Sequence, residues 1–463
     1  MLITALDMIA REATLFAAIW FLVGGLDDLL VDLIYAARRA HLALAAPFRP
    51  HPAASTLHDA PPSGRIIVFV AAWDEAPVIG KMLRTALARF AHADYRIYVG
   101  TYPNDPATTA VVADVAAADP RVRPVIGGTP GPTTKADCLN TLWRALLHDE
   151  AAEGFAALGV VLHDAEDIVH PLELAVYARW LRDCAAVQLP VIPLPHPRSR
   201  FVAGHYCDEF AEAHAKTLVV RQTLGAGLPL AGVGCAIRRD ALAAIAEARG
   251  GSPFDAASLT EDYELGLTIS AMGGRVCLAR VPERAGGPPV AVRAYFPDTL
   301  AGAVRQKARW LTGIALAGWD RTGWRATLNP GDHWMRMRDR RATLALPVLA
   351  IAYATLLLWS VSALLHLFTG TPMSPLTPWV RLLLWGNFAL LLWRLAVRAG
   401  FVWQAYGWRE ALWSAPRVLV GNYIALFAAR RAIGLYARIL LGGAPRWDKT
   451  DHQFPDLPGQ AAQ

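Results

Sequence analysis

The chain has 463 residues, of which 54% are hydrophobic and 18% charged, with a formal net charge of +6 at pH 7. This length exceeds one ordinary domain, and the mean hydropathy of +0.29 excludes a wholly soluble protein. We therefore expect a soluble domain joined to membrane-embedded segments.

The N-terminal segment is apolar from Ala13 to Leu26 and has no cleavage site of the signal-peptide kind. We expect residues 1–45 to form a retained membrane anchor, which can span a bilayer if its helix begins near Leu2. Asp27, Asp28 and Asp32 would then lie at its inner end and need polar partners. The Pro-, His- and Ala-rich residues 46–64 are predicted to be a linker.

Residues 65–335 alternate short apolar runs with amphipathic stretches. The runs RIIVFVAAW, YRIYVGTY, ALGVVLHD and GRVCLARV have the length of strands. This alternation predicts an α/β domain with a mainly parallel sheet. The five cysteines form no CxxC pair and no zinc-finger spacing, so we expect them to be reduced thiols of a cytoplasmic domain.

Residues 336–400 are predicted to contain two transmembrane helices, since TLALPVLAIAYATLLLWSVSALLHLF carries no charge and a second apolar stretch follows. Arginines crowd one end of this pair, which predicts that this end is cytoplasmic. Residues 401–463 are apolar but interrupted by arginines, so we expect interfacial helices and a cytoplasmic tail rather than a fourth span. The arginines in question are Arg336, Arg338, Arg340, Arg341, Arg394 and Arg398 for the pair, and Arg417, Arg430, Arg431 and Arg438 for the later segment.

Acidic residues follow two of the predicted strands. Asp74 and Glu75 lie in FVAAWDEAPVIGKML, and Asp105 lies in VGTYPNDPAT. Ligands of open α/β sheets bind at the carboxyl ends of strands, so these are candidate nucleotide-binding residues. Helix capping and turn chemistry are the alternative for all three.

A possible phosphate and metal site follows along the chain. Lys135 in GPTTKADCLN lies at a predicted helix start, where a diphosphate can bind, although a solvated lysine is the alternative. LHDAED then supplies Asp164, Glu166 and Asp167 after a strand. Alternate carboxylates there can chelate Mg²⁺ or Mn²⁺, whereas an acidic turn with a helix cap is the alternative.

Two motifs are candidates for acceptor chemistry. SLTEDYELGL supplies Glu261 and Asp262, a carboxylate pair that can act as a base, although TED is also a capping arrangement. In RQKARWLTG, Gln306 and Arg309 share a helix face and Trp310 offers a flat surface to a sugar ring. A juxtamembrane amphipathic helix is the alternative there.

In this order and spacing, AWDE, D-A-E-D, T-E-D and Q-x-x-R-W resemble the processive-type family 2 glycosyltransferases of the cellulose and hyaluronan synthase kind. Over nearly the whole chain, the sequence also resembles the bacteriophage adsorption protein B (NfrB) type. The segments that carry this resemblance are GTYPNDP, GPTTKADCLN, LHDAED, SLTEDYELG and PRWDKTDHQFP. Such relatives usually continue into a cyclic-di-GMP-binding domain, whereas this chain ends at Gln463, so direct cyclic-di-GMP control is not expected.

The resemblance implies a GT-A-type nucleotide-diphospho-sugar transferase fold and an inverting, Mg²⁺- or Mn²⁺-dependent transfer from a UDP-sugar, with N-acetylhexosamine as the sugar. The acceptor would be an exopolysaccharide or surface glycan at the bacterial inner membrane, with a cytoplasmic catalytic domain and an outer-membrane export partner. No nucleic-acid partner is expected. Two alternatives are transfer of one sugar to a polyprenyl phosphate and a non-catalytic membrane scaffold.

The resemblance also implies a role for each motif residue. The nucleotide would bind Asp74, Glu75, Asp105 and Asp164, with Lys135 near the diphosphate and the metal on Asp164 and Glu166. Glu166 has a longer side chain than the aspartate usual at this position, so Asp167 stays open as the second ligand. Asp262 would be the base beside Glu261, and the acceptor and diphosphate would meet Gln306, Arg309 and Trp310.

Overall fold

The computed structural model describes residues 2–45, 53–57, 64–90, 94–324, 328–443 and 452–455. The predicted linker over residues 46–64 therefore lies mostly outside the described residues. Its described part, Ala54–Leu57, is a 3₁₀ turn. The amides of Ala54 and Ser55 donate to the carbonyls of Pro282 and Glu283 at 2.8 and 3.0 Å, so this turn is fixed to the α/β domain.

One seven-stranded sheet organises the described residues, in the order β3-β2-β1-β4-β6-β5-β7. The strands are β1 Arg65–Ala71, β2 Tyr95–Thr101, β3 Val122–Ile126, β4 Ala157–His163, β5 Ala186–Gln188, β6 Cys235–Arg238 and β7 Val276–Leu278. Strand β1 is parallel to β2 and β4, whereas β6 is antiparallel to β4 and β5. The prediction of an α/β domain with a mainly parallel sheet is confirmed, and β6 is the reversed strand that the sequence pattern did not indicate.

Helices cover both faces of this sheet, which is why its central strands are apolar throughout. Successive β1 residues alternate between two cores: Ile66, Val68 and Val70 belong to one, and Ile67 and Phe69 to the other. The helices are α1 Leu2–Ala45, α2 Ala76–Arg89, α3 Pro106–Ala118, α4 Lys135–Glu153, α5 Glu173–Trp180, α6 Val202–Glu212, α7 Leu218–Thr223, α8 Arg239–Ala248, α9 Glu261–Ala271, α10 Leu300–Leu311, α11 Ala317–Thr322, α12 Pro330–Arg340, α13 Ala342–Thr369, α14 Pro378–Tyr406 and α15 Trp408–Leu440.

Four helices among the described residues are long and apolar enough to cross a membrane: α1, α13, α14 and α15. Helix α15 packs one of its sides on the α/β domain, as α14 also does through Phe401 and Val402, which pack on Ala211 of α6. In α15, Arg417 is buried against Asp208 of α6 at 3.0 Å, and Ala428 and Ala432 pack on Ala308 of α10. These contacts suit a helix lying along the domain, and the interfacial placement of α15 stays a prediction.

The acidic end of α1 has the polar partners that it needs. Asp28 accepts hydrogen bonds from Arg338 at 2.8 Å and Arg341 at 2.7 Å, and it also pairs with Arg394 of α14. Asp32 pairs with Lys216 of the α/β domain. Ion pairs thus join the first helix to the later helices and to the domain, and they account for the acidic residues at the end of an apolar segment.

The expectation of five reduced cysteines is wrong for two of them. Cys184 and Cys277 form a disulfide, with their Cα atoms 6.3 Å apart. Cys184 lies two residues before β5, and Cys277 lies in β7, the parallel neighbour of β5. The pairing depends on strand adjacency across 93 residues of sequence, which local cysteine spacing does not reveal.

Replacing Asp28 with Asn should lower the stability of the whole chain. The Asp28 carboxylate, 7% exposed, serves three arginines, and unpairing buried charge costs about 3–5 kcal/mol. Asp240→Asn is the matched control, since Asp240 is 65% exposed in its pair with Arg238 and such pairs contribute at most about 1 kcal/mol. Thermal unfolding in detergent should show a lower melting temperature for Asp28→Asn alone; equal melting temperatures would contradict the anchoring role.

Candidate active site

A cavity of about 150 Å³ opens at the carboxyl edge of β1 and β4. It brings together residues from every motif singled out in the sequence except the turn containing Asp105. The motif residues among its lining are Glu75, Lys135, Asp164, Glu166, Asp167, Glu261, Asp262, Gln306, Arg309 and Trp310, and His452 and Gln453 join them. Residues spread over the whole chain thus face one space.

The two turns after β1 and β2 support each other. The amide of Asp74, which has a left-handed φ of +55°, donates to Asp105 Oδ2 at 2.6 Å. Asp105 Oδ1 accepts from the amide of Thr108 at 3.2 Å and so caps α3. The structure therefore places Asp105 as a cap and Asp74 on an exposed turn outside the cavity lining, whereas Glu75 is 4% exposed and faces the cavity.

Lys135 is a positively charged side chain that lines the cavity. Its Nζ donates to Asp164 Oδ1 and to the carbonyl of Gly232 at 3.2 Å. Burial lowers the pKa of Lys135, but the carboxylates of Asp164, Glu261 and Asp262 outweigh this and hold that pKa above its ordinary value. Lys135 therefore stays charged and is not a solvated surface lysine.

Asp167 is held in place by a buried histidine. His163 donates from Nδ1 to Asp167 Oδ2 at 2.9 Å and from Nε2 to Glu173 Oε1 at 2.7 Å. Burial lowers the pKa of His163, but Glu173 and Asp167 raise it to about 10. Asp167 Oδ2 also accepts the amide of Asp164 at 3.0 Å, so Asp167 shapes the turn that presents its neighbours.

One side-chain oxygen of Glu166 accepts no hydrogen bond from the described residues. Its Oε2 is buried and has no hydrogen-bond partner among the described residues, with His452 Nδ1 3.3 Å away. Burial raises the pKa of Glu166 to about 8, although His452 lowers it. Burial also raises the pKa of Asp164, but Lys135 lowers it below the ordinary value. Asp164 and Glu166 thus offer carboxylate oxygens to the cavity.

Glu261 and Asp262 open helix α9 on another wall. Gly232, at φ +72°, allows Asp262 to approach, because a Cβ there would lie 2.5 Å from Asp262 Oδ2. Burial raises the pKa of Glu261 to about 7 and the charge of Asp262 adds to the effect. Thr260, the residue before α9, makes no side-chain capping bond, so the capping alternative is not what the structure shows.

Helix α10 supplies the remaining wall. Gln306 Oε1 and Arg309 Nε are buried without a hydrogen-bond partner among the described residues. Trp310 packs at 6.0 Å from Tyr206 and 6.1 Å from Phe210, between ring centroids. Buried polar atoms in native proteins are normally paired, so Gln306 Oε1 and Arg309 Nε leave hydrogen-bonding capacity at the cavity wall.

The carboxylate oxygens of the cavity suit a hard divalent cation that binds together with a phosphate-bearing substrate. The described residues contain no group of three or more His, Cys, Asp or Glu arranged to hold a metal. Mg²⁺ in proteins is commonly held by only one or two carboxylates, together with substrate phosphates and water. Asp164 and the unpaired oxygen of Glu166 fit that requirement.

The sequence reasoning missed His452 and Gln453, which it assigned to a cytoplasmic tail. His452 donates from Nδ1 to Glu75 Oε1 at 2.8 Å. Its signal in the sequence is its place within PRWDKTDHQFP, most of which lies outside the described residues. A single histidine far from the other motifs gives no periodicity or spacing that could assign it to the site.

The family model described as glycosyltransferase like family 2 matches residues 61–313. The chain belongs to this family and is a glycosyltransferase, as the sequence motifs predicted. It is 35% identical to bacteriophage adsorption protein B of Escherichia coli (strain K12), over 96% of this chain and 62% of that protein. Bacteriophage N4 adsorption protein B of Escherichia coli O157:H7 matches to the same extent, so the chain spans less than two thirds of these relatives.

A solved structure supports the fold. The mannosyltransferase of Pyrobaculum calidifontis, determined in complex with GDP-Man and Mn²⁺, aligns with a TM-score of 0.55 and 18% identity. The alignment covers 92% of this chain and 99% of that one. The predicted GT-A-type fold is thereby confirmed.

Replacing Lys135 with Met should destabilise the protein in metal-free buffer, since three carboxylates then lose their nearby cation. We expect a loss of about 2 kcal/mol, less than for a fully buried pair because the Asp164 side chain is 35% exposed. Lys81→Met, on the exposed side of α2, is the control. Thermal unfolding measures both variants; a Lys135 variant as stable as wild type would show that the carboxylates do not need this cation.

Proposed function

We propose that this chain is an inverting, metal-dependent glycosyltransferase that transfers an N-acetylhexosamine from a UDP-sugar to a growing exopolysaccharide or surface glycan. The observation that carries the proposal is the convergence of three kinds of group on one cavity: a carboxylate pair for a cation, a second carboxylate pair, and an aromatic and amide wall. Each kind matches one requirement of sugar transfer. The sugar and the acceptor glycan rest on the family resemblance.

The donor side of the site would be the edge of β1 and β4. Asp164 and Glu166 would hold Mg²⁺ or Mn²⁺, and Lys135 would remain beside the diphosphate. A bound divalent cation would neutralise the charge that develops on the leaving diphosphate. Glu166 is the better second ligand, because Asp167 already accepts from His163 and from the amide of Asp164.

The reaction would use Asp262 as its base. The acceptor hydroxyl oxygen forms a bond to C1 of the donor sugar, the bond from C1 to the diphosphate oxygen breaks, and Asp262 takes the hydroxyl proton. Attack opposite the leaving group inverts C1. Glu261 lies beside Asp262, and its negative charge makes the pair a stronger base than one carboxylate alone.

The acceptor would lie along α10. Trp310 and its aromatic neighbours offer flat apolar surfaces, on which sugar rings can stack. Gln306 and Arg309 supply unpaired polar atoms to acceptor hydroxyls or to the diphosphate. Glu75 and the adjoining turn with Asp74 and Asp105 would form the nucleotide end, where Asp105 acts through the turn that it holds.

We place the chain in the bacterial inner membrane, with α1, α13 and α14 as spans, α15 at the interface and the α/β domain on the cytoplasmic side. Arginines at the domain-facing ends of the spans support this orientation. Several of them pair with acidic residues, as Arg338 and Arg341 do with Asp28. The orientation rule counts basic residues rather than net charge, so these pairs do not weaken it.

A donor panel tests the function directly. The purified 463-residue chain with Mg²⁺ or Mn²⁺ should release UDP from a UDP-N-acetylhexosamine when membrane acceptor is present, and should release little from other UDP-sugars or from GDP-mannose. Asp262→Asn should lower the rate by ~10²–10⁴-fold, because the acceptor hydroxyl keeps its proton. Radiolabelled sugar identifies the product.

The panel also decides between the alternatives. Undiminished polymer synthesis by Asp262→Asn would contradict its assignment as base. A labelled product that extracts into organic solvent would instead indicate a polyprenyl phosphate acceptor, whose phosphate needs no base. Donor binding without nucleotide release from any sugar would indicate a scaffold that has kept the fold.

The rate should fall as the pH drops through about 7. Burial raises the pKa of Glu261 to about 7 and also raises that of Asp262, so the pair takes up a proton at a higher pH than ordinary carboxyls. Glu261→Gln should shift this fall in rate to lower pH, because removing the negative charge beside Asp262 lowers the pKa of Asp262. The measurement is kcat/KM against pH at saturating metal.

The control for this profile is Glu153→Gln, whose side chain is 42% exposed at the end of α4. Glu153→Gln should not change the pH at which kcat/KM falls. If Glu261→Gln does not change that pH either, a group other than Glu261 and Asp262 controls the pH dependence.

A further inference from the structure

The described C-terminal residues return to the α/β domain after α15. Phe454 is 8% exposed and belongs to the core that includes Val68 and Val70 of β1. Gln453 lies 3.4 Å from both His196 and Asp298. The segment is therefore anchored in the domain core and does not merely rest on its surface.

This anchoring places His452 between two carboxylates from different strand ends. Its Nδ1 lies 2.8 Å from Glu75 Oε1, at the end of β1, and 3.3 Å from Glu166 Oε2, beyond the end of β4. The imidazole is largely buried, with 20% of its side chain exposed. Nδ1 thus bridges the nucleotide end and the cation end of the proposed site, through a hydrogen bond to Glu75 and an ion pair with Glu166, whose Oε2 has no hydrogen-bond partner among the described residues.

Such a bridge has a physical consequence for cation binding. Glu75, Asp164 and Glu166 meet in one largely buried cavity, and they repel one another when all three are ionised, which is the form in which a carboxylate binds a cation. Carboxylates that bind a metal are themselves oriented by hydrogen bonds from neighbouring groups, and losing such a neighbour typically weakens metal binding by ~10–100-fold. His452 is placed to hold Glu75 and Glu166 at a fixed separation.

We propose that His452 is a positioning residue of the donor site, which fixes Glu75 and Glu166 so that a divalent cation carrying a nucleoside diphosphate can bind. The inference rests on the proposed function, because it takes Glu166 as a cation ligand. It also means that residues 61–313, which the family model matches, do not contain the whole donor site. The site is complete only when the end of the chain returns from the helical region.

The test measures Mn²⁺ binding to the full chain in detergent, with UDP present, from the electron paramagnetic resonance signal of free Mn²⁺. His452→Leu keeps the bulk of the side chain but donates no hydrogen bond, and it should weaken Mn²⁺ binding by ~10–100-fold. His452→Asn keeps a donor nitrogen near the position of Nδ1 and should restore most of the affinity. A purely structural role would not separate these two variants.

Three further variants complete the design. Phe454→Ala loosens the anchor while keeping His452, so it should weaken Mn²⁺ binding in the same direction. His148→Ala, with a side chain that is 77% exposed, should have no effect. Glu153→Gln, whose side chain is 42% exposed at the end of α4, should also bind Mn²⁺ normally. If His452→Leu does not fold, His452→Ala takes its place in the comparison with His452→Asn.

Glu166→Gln distinguishes the proposed metal site at Asp164 and Glu166 from the proposed positioning role of His452. If it loses Mn²⁺ binding while His452→Leu binds Mn²⁺ as tightly as wild type or more tightly, the positioning role is overturned and the proposed metal site stands. Tighter binding by His452→Leu would show that the tail competes with the cation. If Glu166→Gln binds Mn²⁺ normally, the metal site of the proposed function is itself wrong.

Discussion

The carboxylates of the cavity repel one another, and the rest of the site is arranged around this repulsion. Burial penalises each charge, and each neighbour of the same sign penalises it further. Lys135 lies among Asp164, Glu261 and Asp262, and His163 holds Asp167. One buried carboxylate oxygen of Glu166 keeps no hydrogen bond among the described residues, and this is where the proposed divalent cation would bind.

The sheet topology explains why these charges meet at all. Strands β1 and β4 are adjacent and parallel, so the turns that follow them emerge at the same edge and bring Glu75 close to Glu166. The antiparallel strand β6 follows the loop containing Gly232, whose missing side chain leaves room for Asp262. Strand order therefore brings Glu75 and Glu166 together, and a single glycine lets Asp262, the proposed base, approach the same cavity.

Much of this was predictable from the sequence, because strand ends and loop motifs are local features. The four strand-length runs became β1, β2, β4 and β7, and most motif residues meet in the cavity. The cap on α3 by Asp105 and the pairing of Asp167 with His163, four residues away, are local contacts, and capping was one of the alternatives that the sequence left open. Local patterns could not show that Cys184 pairs with Cys277 or that His452 reaches the cavity, because these contacts join elements that are distant in sequence.

The proposed acceptor wall of the cavity belongs to the helical layer rather than to the sheet. Helix α10 presents Gln306 and Arg309 to the cavity, while its Ala308 packs on Ala428 and Ala432 of α15. Small residues at this contact let the two helices approach closely. If α15 lies in the membrane interface, the acceptor wall is attached directly to that interface, whereas the donor edge is held by the sheet. Sugar transfer would then take place at the boundary between the two layers, where a nucleotide from the cytoplasm and a membrane-bound glycan can both reach Asp262.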